Sequence, residues 1–217
     1  MSRKKIAVLI SGNGSNLQAL IDSCSDKNFP AEIILVLSNK SSAYGLERAK
    51  NAGIKTAVLS HQDFKSREEY DRAMDAEIRK SGAEIICMAG FMRLLSPWFV
   101  ETWHNRLLNI HPSLLPAFKG LHAQRQALEA KVLIAGCTVH LVRAAMDEGP
   151  ILAQAAVPVF ADDSEESLTN RILEQEHLCY SLALKRLISA DFSIANEIIN
   201  FSIKPEKPTA KNLFYTR

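Results

Sequence analysis

Two polar side chains of a catalytic type, an amide and an imidazole, end an apolar run near the middle of the chain. Asn109 and His111 are two residues apart, so in an extended strand both side chains leave on one face while Ile110 points to the other. An amide donor and a titratable imidazole would then lie side by side. Pro112 and Pro116 restrict the backbone that follows and favour a fixed loop. The pattern indicates a candidate catalytic site, although an Asn and a His at a strand end are also typical of turns and core residues.

A second candidate site is the segment 11–17, Ser-Gly-Asn-Gly-Ser-Asn-Leu, which follows the first apolar run and precedes an amphipathic stretch. Its glycines permit a tight turn, and the free N–H groups at the start of the helix that follows attract an anion. A dinucleotide fingerprint would need a third glycine where Leu17 stands, and no Walker lysine follows. The segment therefore favours a single phosphate, with a helix cap made by Ser15 or Asn13 as the alternative.

The elements that must position these residues follow a β-α-β pattern. Apolar runs alternate with amphipathic stretches through the first half of the chain, which is typical of a parallel sheet. The predicted strands cover residues 6–10, 32–37, 56–59, 85–88 and 107–110, and the predicted helices cover residues 15–23, 44–51, 67–80 and 97–103. The sequence thus predicts an α/β fold with a Rossmann-like, mostly parallel sheet and helices on both faces.

The C-terminal half has a different pattern. Residues 137–142 and 151–159 predict two strands joined by a turn, and hence an antiparallel extension of the sheet. Acidic residues within 163–166 predict the start of a long amphipathic helix that ends near Ser189. From Ile203 onward little periodicity remains, which indicates a peripheral strand or a loose end.

Size and composition are those of an ordinary globular protein. The 217 residues are 47% hydrophobic and carry a formal net charge of +2. A net charge this small does not indicate binding to nucleic acid or to an anionic membrane. No apolar run is long enough for a signal peptide or a bilayer span, so we expect a cytoplasmic protein without nucleic-acid or membrane partners. The cysteines Cys24, Cys87, Cys137 and Cys179 lack zinc-ligand spacing, so we expect reduced, buried thiols and no metal.

Four segments together resemble the glycinamide ribonucleotide formyltransferases, and the resemblance extends over roughly residues 6–190. The segments are 10–18 (Ile-Ser-Gly-Asn-Gly-Ser-Asn-Leu-Gln), 89–93 (Ala-Gly-Phe-Met-Arg), 109–116 (Asn-Ile-His-Pro-Ser-Leu-Leu-Pro) and 147–150 (Asp-Glu-Gly-Pro). The last two are shared by the wider folate-dependent formyltransferase family, whereas the first points to the ribonucleotide enzymes. The resemblance implies the formyltransferase fold.

This resemblance implies transfer of the formyl group of 10-formyltetrahydrofolate to the amino group of glycinamide ribonucleotide in purine (IMP) biosynthesis. Asn109 would donate an amide N–H to the developing oxyanion, and His111 would stabilise that oxyanion and pass a proton to the leaving folate nitrogen. Asp147 would orient His111 and help to take the proton from the attacking amine. Asp before Gly-Pro is by itself more typical of a turn, and its link to Asn-x-His favours the catalytic role.

The resemblance also implies two binding sites. The ribonucleotide site would consist of Gly14, Ser15, Asn16, Asn109 and Glu176, and the folate site of Arg67, Met92, Arg93, Leu94, Leu95, Met146 and Asp147. Arg67 would meet a carboxylate of the benzoyl-glutamate part, since a guanidinium matches a carboxylate. A solvated helix face is the alternative for Glu176, and a surface charge is the alternative for Arg67. We expect a structural role for His140, although it could approach the site.

One loop departs from the family pattern. Residues 143–146 are Arg-Ala-Ala-Met where acidic residues are common in the family, and Glu148 stands where a glycine is common. We expect this departure to alter folate affinity or loop mobility more than chemistry.

The chain is expected to be one domain over residues 1–217, as a monomer or weak homodimer. Within it, 1–100 would be the phosphate-binding half, 101–190 the catalytic and folate-binding half, and 191–217 a C-terminal tail.

Other functions remain as alternatives. A formyltetrahydrofolate hydrolase or an initiator-tRNA formyltransferase would use the same Asn-His-Asp trio, but each is expected to carry a further domain, and the tRNA enzyme a basic surface. A non-catalytic nucleotide-binding module or a Rossmann oxidoreductase is disfavoured by the missing third glycine and by the trio itself. We therefore expect an enzyme that acts on small-molecule substrates.

Overall fold

A computed structural model describes residues 2–202 of the chain. The strands are β1 (Lys4–Ile10), β2 (Ala31–Ser38), β3 (Thr56–Val58), β4 (Ile85–Met88), β5 (Leu107–His111), β6 (Ile134–Leu141), β7 (Ile151–Pro158), β8 (Phe192–Ala195) and β9 (Ile198–Phe201). The helices are α1 (Ser15–Ser25), α2 (Gly45–Asn51), α3 (Arg67–Ser81), α4 (Pro97–Thr102), α5 (Ala123–Glu129) and α6 (Glu165–Ser189).

The central sheet has seven strands in the order β3-β2-β1-β4-β5-β6-β7. The strands from β3 across to β5 are parallel, and β6 and β7 are antiparallel to their neighbours. This arrangement confirms the predicted mostly parallel sheet with an antiparallel extension. The carboxyl ends of the parallel strands therefore lie along one edge, where such folds bind ligands.

Alternating side chains of the strands bury two apolar layers. On β1, Ile6 and Val8 face one layer, which includes Leu17 of α1 and Tyr180 of α6. Ala7 and Leu9 of the same strand face the other layer, which is covered by α3 and α4. Both faces of β1 are thus inside the protein, which explains why its sequence is a continuous apolar run rather than an alternating one.

Local sequence signals account for the bounds of the longer helices. Ser66 accepts a hydrogen bond from the Glu69 N–H at the start of α3, and Gly82 ends that helix with φ 83°. At the start of α6, Ser164 and Ser167 form a reciprocal capping box. These caps fix the helix that carries Arg67 and the helix that carries Glu176.

A short helix and a hairpin are among the features that the sequence did not predict. The short helix α5 begins after His122, which has φ 59° and makes no side-chain cap. The β8–β9 hairpin occupies part of the predicted tail, and its turn places Asn196 and Glu197 at positive φ. Both elements have too few residues for a clear periodicity, which is why the sequence did not indicate them.

Three other predictions concern the cysteines, the tail and membrane-spanning helices. The four cysteines are free and buried, as predicted. The segment from Ile203 onward lies outside the described residues. Within residues 2–202, no helix combines the length and the apolar character that a membrane span requires.

Candidate active site

A cavity of about 570 Å³ opens at the carboxyl ends of β4 and β5. Its lining includes Asn109 and His111 from β5, His140 from β6 and Asp147 from the loop that follows β6. The structure therefore brings the predicted trio of Asn109, His111 and Asp147 to one cavity. Because neighbouring strands supply Asn109 and His140, the sheet itself fixes the distance between these two side chains.

The amide of Asn109 is oriented by His140. The two residues lie directly opposite each other on β5 and β6, and Asn109 Nδ2 is 3.3 Å from His140 Nε2. His140 Nδ1 lies 3.1 Å from the Leu141 carbonyl oxygen, and a carbonyl can only accept, so Nδ1 carries the proton and Nε2 accepts from the amide. Burial lowers the pKa of His140, which favours this neutral form. His140 thus determines which way the Asn109 N–H groups point.

The imidazole of His111 is held between a carbonyl and a carboxylate. His111 Nε2 donates to the Phe118 carbonyl oxygen at 2.9 Å, and His111 Nδ1 lies 3.5 Å from Asp147 Oδ2. The same carboxylate oxygen accepts the Gly120 N–H at 2.7 Å. The side chains of His111 and Asp147 are only 7% and 11% exposed, so water and salt screen their interaction weakly. The carboxylate of Asp147 therefore faces the Nδ1 edge of the ring.

The proline loop after β5 is anchored to the two antiparallel strands. Thr138 Oγ1 donates to the Ser113 carbonyl at 2.7 Å and accepts the Leu115 N–H at 3.0 Å. Gln154 Nε2 donates to Thr138 Oγ1 at 2.9 Å and to the Leu115 carbonyl at 3.0 Å. These hydrogen bonds connect β6 and β7 to the loop that contains Phe118, whose carbonyl oxygen accepts the hydrogen bond from His111.

The glycine-containing segment is a turn whose helix has no side-chain cap. Gly14 lies at the N-cap of α1 with φ 74°, and no side-chain hydrogen bond caps this helix, so the alternative of a cap by Ser15 or Asn13 is wrong. A Cβ on Gly14 would lie 2.8 Å from Gly45 Cα, which shows how closely α2 packs on the turn. The free N–H groups of α1 are therefore suited to an anion.

Asn16 and Glu176 form a buried pair beside this turn. Asn16 Nδ2 donates to Glu176 Oε2 at 2.6 Å, and Glu176 is only 6% exposed, so the solvated-face alternative for Glu176 is wrong. Burial raises the pKa of Glu176, and the hydrogen bond from Asn16 offsets part of that rise. The pair joins the start of α1 to the middle of α6.

Ser11 connects the glycine turn to the predicted folate segment. Its hydroxyl donates to Asn39 Oδ1 at 2.6 Å and accepts the Met92 N–H at 2.8 Å. Its own N–H donates to the Gly90 carbonyl at 3.1 Å. Sequence reasoning missed this role, and the only available signal was a hydroxyl residue directly after a buried strand. The two predicted binding regions thus share one hydrogen-bonded residue.

The predicted folate residues divide between the cavity and its surroundings. The cavity lining includes Met92, Arg93, Leu94, Leu95 and Met146. Met92 is 68% exposed and Met146 is 52% exposed, so apolar side chains at the mouth are available to a ligand. Among the described residues, this lining does not include Arg67, nor the glycine-turn group of Gly14, Ser15, Asn16 and Glu176.

The loop 143–148 is held at both ends by ion pairs. Arg143 Nε lies 2.7 Å from Glu197 Oε2, and Arg143 Nη2 donates to Asn105 Oδ1 at 2.9 Å. At the other end, Lys119 Nζ lies 2.7 Å from Glu148 Oε1. Arg143 and Glu148, two of the residues that we expect to depart from the family pattern, therefore each make an ion pair in this structure.

Comparison with known proteins identifies relatives over most of the chain. The formyl transferase family model matches residues 4–184. The phosphoribosylglycinamide formyltransferase of Escherichia coli is 52% identical over 82% of this chain and 84% of that protein. The trifunctional purine biosynthetic protein adenosine-3 of Drosophila melanogaster is 51% identical over 90% of this chain, which spans only 15% of that relative's length.

A solved structure agrees with these sequence matches. Glycinamide ribonucleotide transformylase 1 from Symbiobacterium toebii superposes with a TM-score of 0.90 at 45% identity, and the match covers 92% of this chain and 94% of that one. The chain therefore belongs to the formyl transferase family, among the phosphoribosylglycinamide formyltransferases.

Proposed function

We propose that this protein transfers the formyl group of 10-formyltetrahydrofolate to the amino group of glycinamide ribonucleotide in purine biosynthesis. The products are formylglycinamide ribonucleotide and tetrahydrofolate. The observation that carries the proposal is the convergence of Asn109, His111 and Asp147 on one cavity in a chain of this family.

In the proposed reaction, the neutral amine attacks the formyl carbon directly. A new C–N bond forms, the carbonyl oxygen becomes an oxyanion, and the bond from carbon to the folate nitrogen then breaks. An N–H of Asn109, oriented by His140, would stabilise the oxyanion together with His111. Asp147 would help to take the proton that the amine loses, and His111 would deliver one to the leaving nitrogen.

The two groups of binding residues suit the two substrates. The free N–H groups at Gly14, Ser15 and Asn16 would bind the ribonucleotide phosphate, and Glu176 would orient Asn16 and reach toward the sugar or glycinamide. The apolar cavity wall at 92–95 and 146 would bind the pterin and benzoyl rings of the donor.

An activity assay with the purified chain tests the proposal. With 10-formyltetrahydrofolate and glycinamide ribonucleotide, we expect formylated ribonucleotide by mass spectrometry and an equal amount of tetrahydrofolate. His111→Ala should lose at least about 100-fold in kcat, the usual effect of losing a proton-transfer or oxyanion group. His104→Ala, at an exposed histidine paired with Glu101, is the control. Full activity of His111→Ala, or formate release to water as the main reaction, would contradict the assignment.

A further inference from the structure

One arginine of α2 holds the glycine turn that precedes α1. Arg48 Nε donates to the Asn13 carbonyl oxygen at 2.9 Å, and Arg48 Nη2 donates to Asn13 Oδ1 at 3.1 Å. The third nitrogen, Nη1, donates to Gln18 Oε1 of α1 at 3.3 Å. Asn13 directly precedes Gly14, the N-cap residue of α1. A single guanidinium group therefore connects α2 both to the turn and to the first part of the helix that follows it.

Because a peptide group is planar, the contact with Asn13 also fixes the direction of an N–H group. The Asn13 carbonyl and the Gly14 N–H belong to one rigid trans peptide unit and point in opposite directions. Since the carbonyl points to Arg48, the Gly14 N–H points away from it. The preceding peptide unit is held in the same way, because the Gly45 N–H donates to the Gly12 carbonyl oxygen at 3.1 Å. Helix α2 thus sets the directions of two N–H groups that lead into α1.

Arg48 also brings positive charge to the turn. Its three acceptors are uncharged oxygens, and among residues 2–202 it forms no ion pair with a carboxylate. Its guanidinium carbon lies 4.9 Å from the centre of the ring of Tyr44, a side chain that is 57% exposed. A cation without a counter-charge beside the start of a helix favours an anion there.

We propose that Arg48 is a positioning residue for the phosphate of the acceptor, because it fixes the peptide group that aims the Gly14 N–H. This inference rests on the proposed function. Arg48 would contact neither the phosphate nor the reacting atoms and would act through Asn13. The role depends on the planar fork of the guanidinium group, which reaches a carbonyl and an amide oxygen of one residue together. If charge alone mattered, a lysine would serve equally well.

Two substitutions of Arg48 separate positioning from charge. Arg48→Met keeps an unbranched stem beside Tyr44 and removes every donor. Arg48→Lys keeps the charge but lacks the fork. The matched control is Arg72→Met on α3, which covers the opposite face of the sheet from α1. Arg72 likewise makes hydrogen bonds, to Glu68, and stacks on an aromatic ring, that of Trp98.

Titration with ribose 5-phosphate, which carries the ribose and phosphate of the acceptor without its amine, measures the effect on binding. In R48M the Kd should rise about tenfold, because the N–H donors of the turn are no longer preorganised. In R48K it should rise at least about fivefold, because a single ammonium cannot replace the fork. In R72M it should stay within about twofold of the wild type, as for other surface substitutions.

Steady-state kinetics show whether the effect is confined to the phosphate. In R48M the KM for glycinamide ribonucleotide should rise about tenfold, while kcat and the KM for 10-formyltetrahydrofolate stay within about twofold, as expected for a loss of uniform binding. A parallel rise in both KM values would show that the substitution merely loosens the structure. If R48M does not fold, R48K is measured in the same way, and the same selective rise in one KM is expected.

Two binding results would also overturn the inference. Wild-type affinity for ribose 5-phosphate in R48K would show that only the charge matters, and an equal loss in R72M would show that any stacked surface arginine has this effect. Absence of formyl transfer by the wild type would instead contradict the proposed function, and the inference with it.

Discussion

His140 lies beside the trio and orients Asn109, which we propose to be the oxyanion donor. Because its Nε2 accepts from the Asn109 amide, removing that acceptor leaves the amide free to rotate. His140→Leu should therefore lower kcat about tenfold and leave both KM values within about twofold, since an oriented oxyanion donor acts in the transition state. Steady-state kinetics with each substrate varied in turn measure this split.

A second substitution separates orientation from packing at this position. His140→Gln offers an amide oxygen that can accept the same Asn109 N–H, so it should recover most of the kcat. If His140→Leu and His140→Gln lose kcat equally and both melt at lower temperature, His140 has only the structural role that the sequence suggested.

Glu176 predicts a pH dependence of stability with a definite sign. Because burial raises its folded pKa above the ordinary value of 4.5, the folded state binds the proton more tightly than the unfolded state. This contribution to stability is complete below pH 4.5 and is lost as the pH rises through the folded pKa. Glu176→Gln, which cannot ionise, should therefore gain stability relative to the wild type as the pH rises.

Urea unfolding of both proteins at several values between pH 4.5 and 8 measures this difference. The difference in the free energy of unfolding between Glu176→Gln and the wild type should increase with pH. It should then remain constant above the pKa of Glu176 in the folded protein. A gap that narrows as the pH rises would show that the carboxylate is stabilised in its ionised form. Reduced activity of the more stable Glu176→Gln variant would indicate that the buried charge is kept for ligand binding.

At the scale of elements, the contact between α2 and the glycine turn predicts a strict limit on side-chain size. A Cβ on Gly14 meets Gly45 Cα at 2.8 Å, and Gly14 also has φ 74°. Gly14→Ala should lower the free energy of unfolding by about 1–3 kcal/mol from backbone strain, and more from the clash. It should also raise the KM for the ribonucleotide, because the turn must move away from α2.

Gly53, just after α2, separates the two effects. It has φ 71° but nothing within 4 Å of an added Cβ, so Gly53→Ala reports backbone strain alone. Chemical unfolding and kinetics of both variants are the measurements. Equal KM values for the ribonucleotide in Gly14→Ala and Gly53→Ala would show that the approach of α2 does not shape the binding turn.

The elements also show what sequence could and could not predict. Strands such as β4 were predicted from short apolar runs, and α3 from its amphipathic stretch, because these signals are local. The hydrogen-bond partner of Asn109 was not predicted, because His140 reaches Asn109 only through the antiparallel pairing of two strands. The ion pair between Arg143 and Glu197 likewise joins a loop to a hairpin that has no clear sequence pattern.

At the scale of the whole molecule, Ser11 joins the two binding regions of the proposed function. Loss of its hydroxyl removes hydrogen bonds to Asn39 and to the Met92 N–H together. Ser11→Ala should therefore raise the KM of both substrates, by about twofold to tenfold for one or two lost hydrogen bonds. Ser23→Ala, which removes a hydroxyl contact with Ser181 between α1 and α6, is the control. A change in only one KM would show that the two regions respond independently.

The hydrogen bond from His111 to the Phe118 carbonyl has a consequence for how protons travel. Because Nε2 donates to the backbone, only Nδ1 of the ring would be available to exchange a proton in the proposed reaction. That nitrogen faces Asp147, so uptake and delivery would both occur at one edge of the imidazole. The ring would then accept and release the proton at the same nitrogen, and would not pass it from one nitrogen to the other. The proton on Nε2 should therefore exchange slowly with solvent, which NMR spectra can measure.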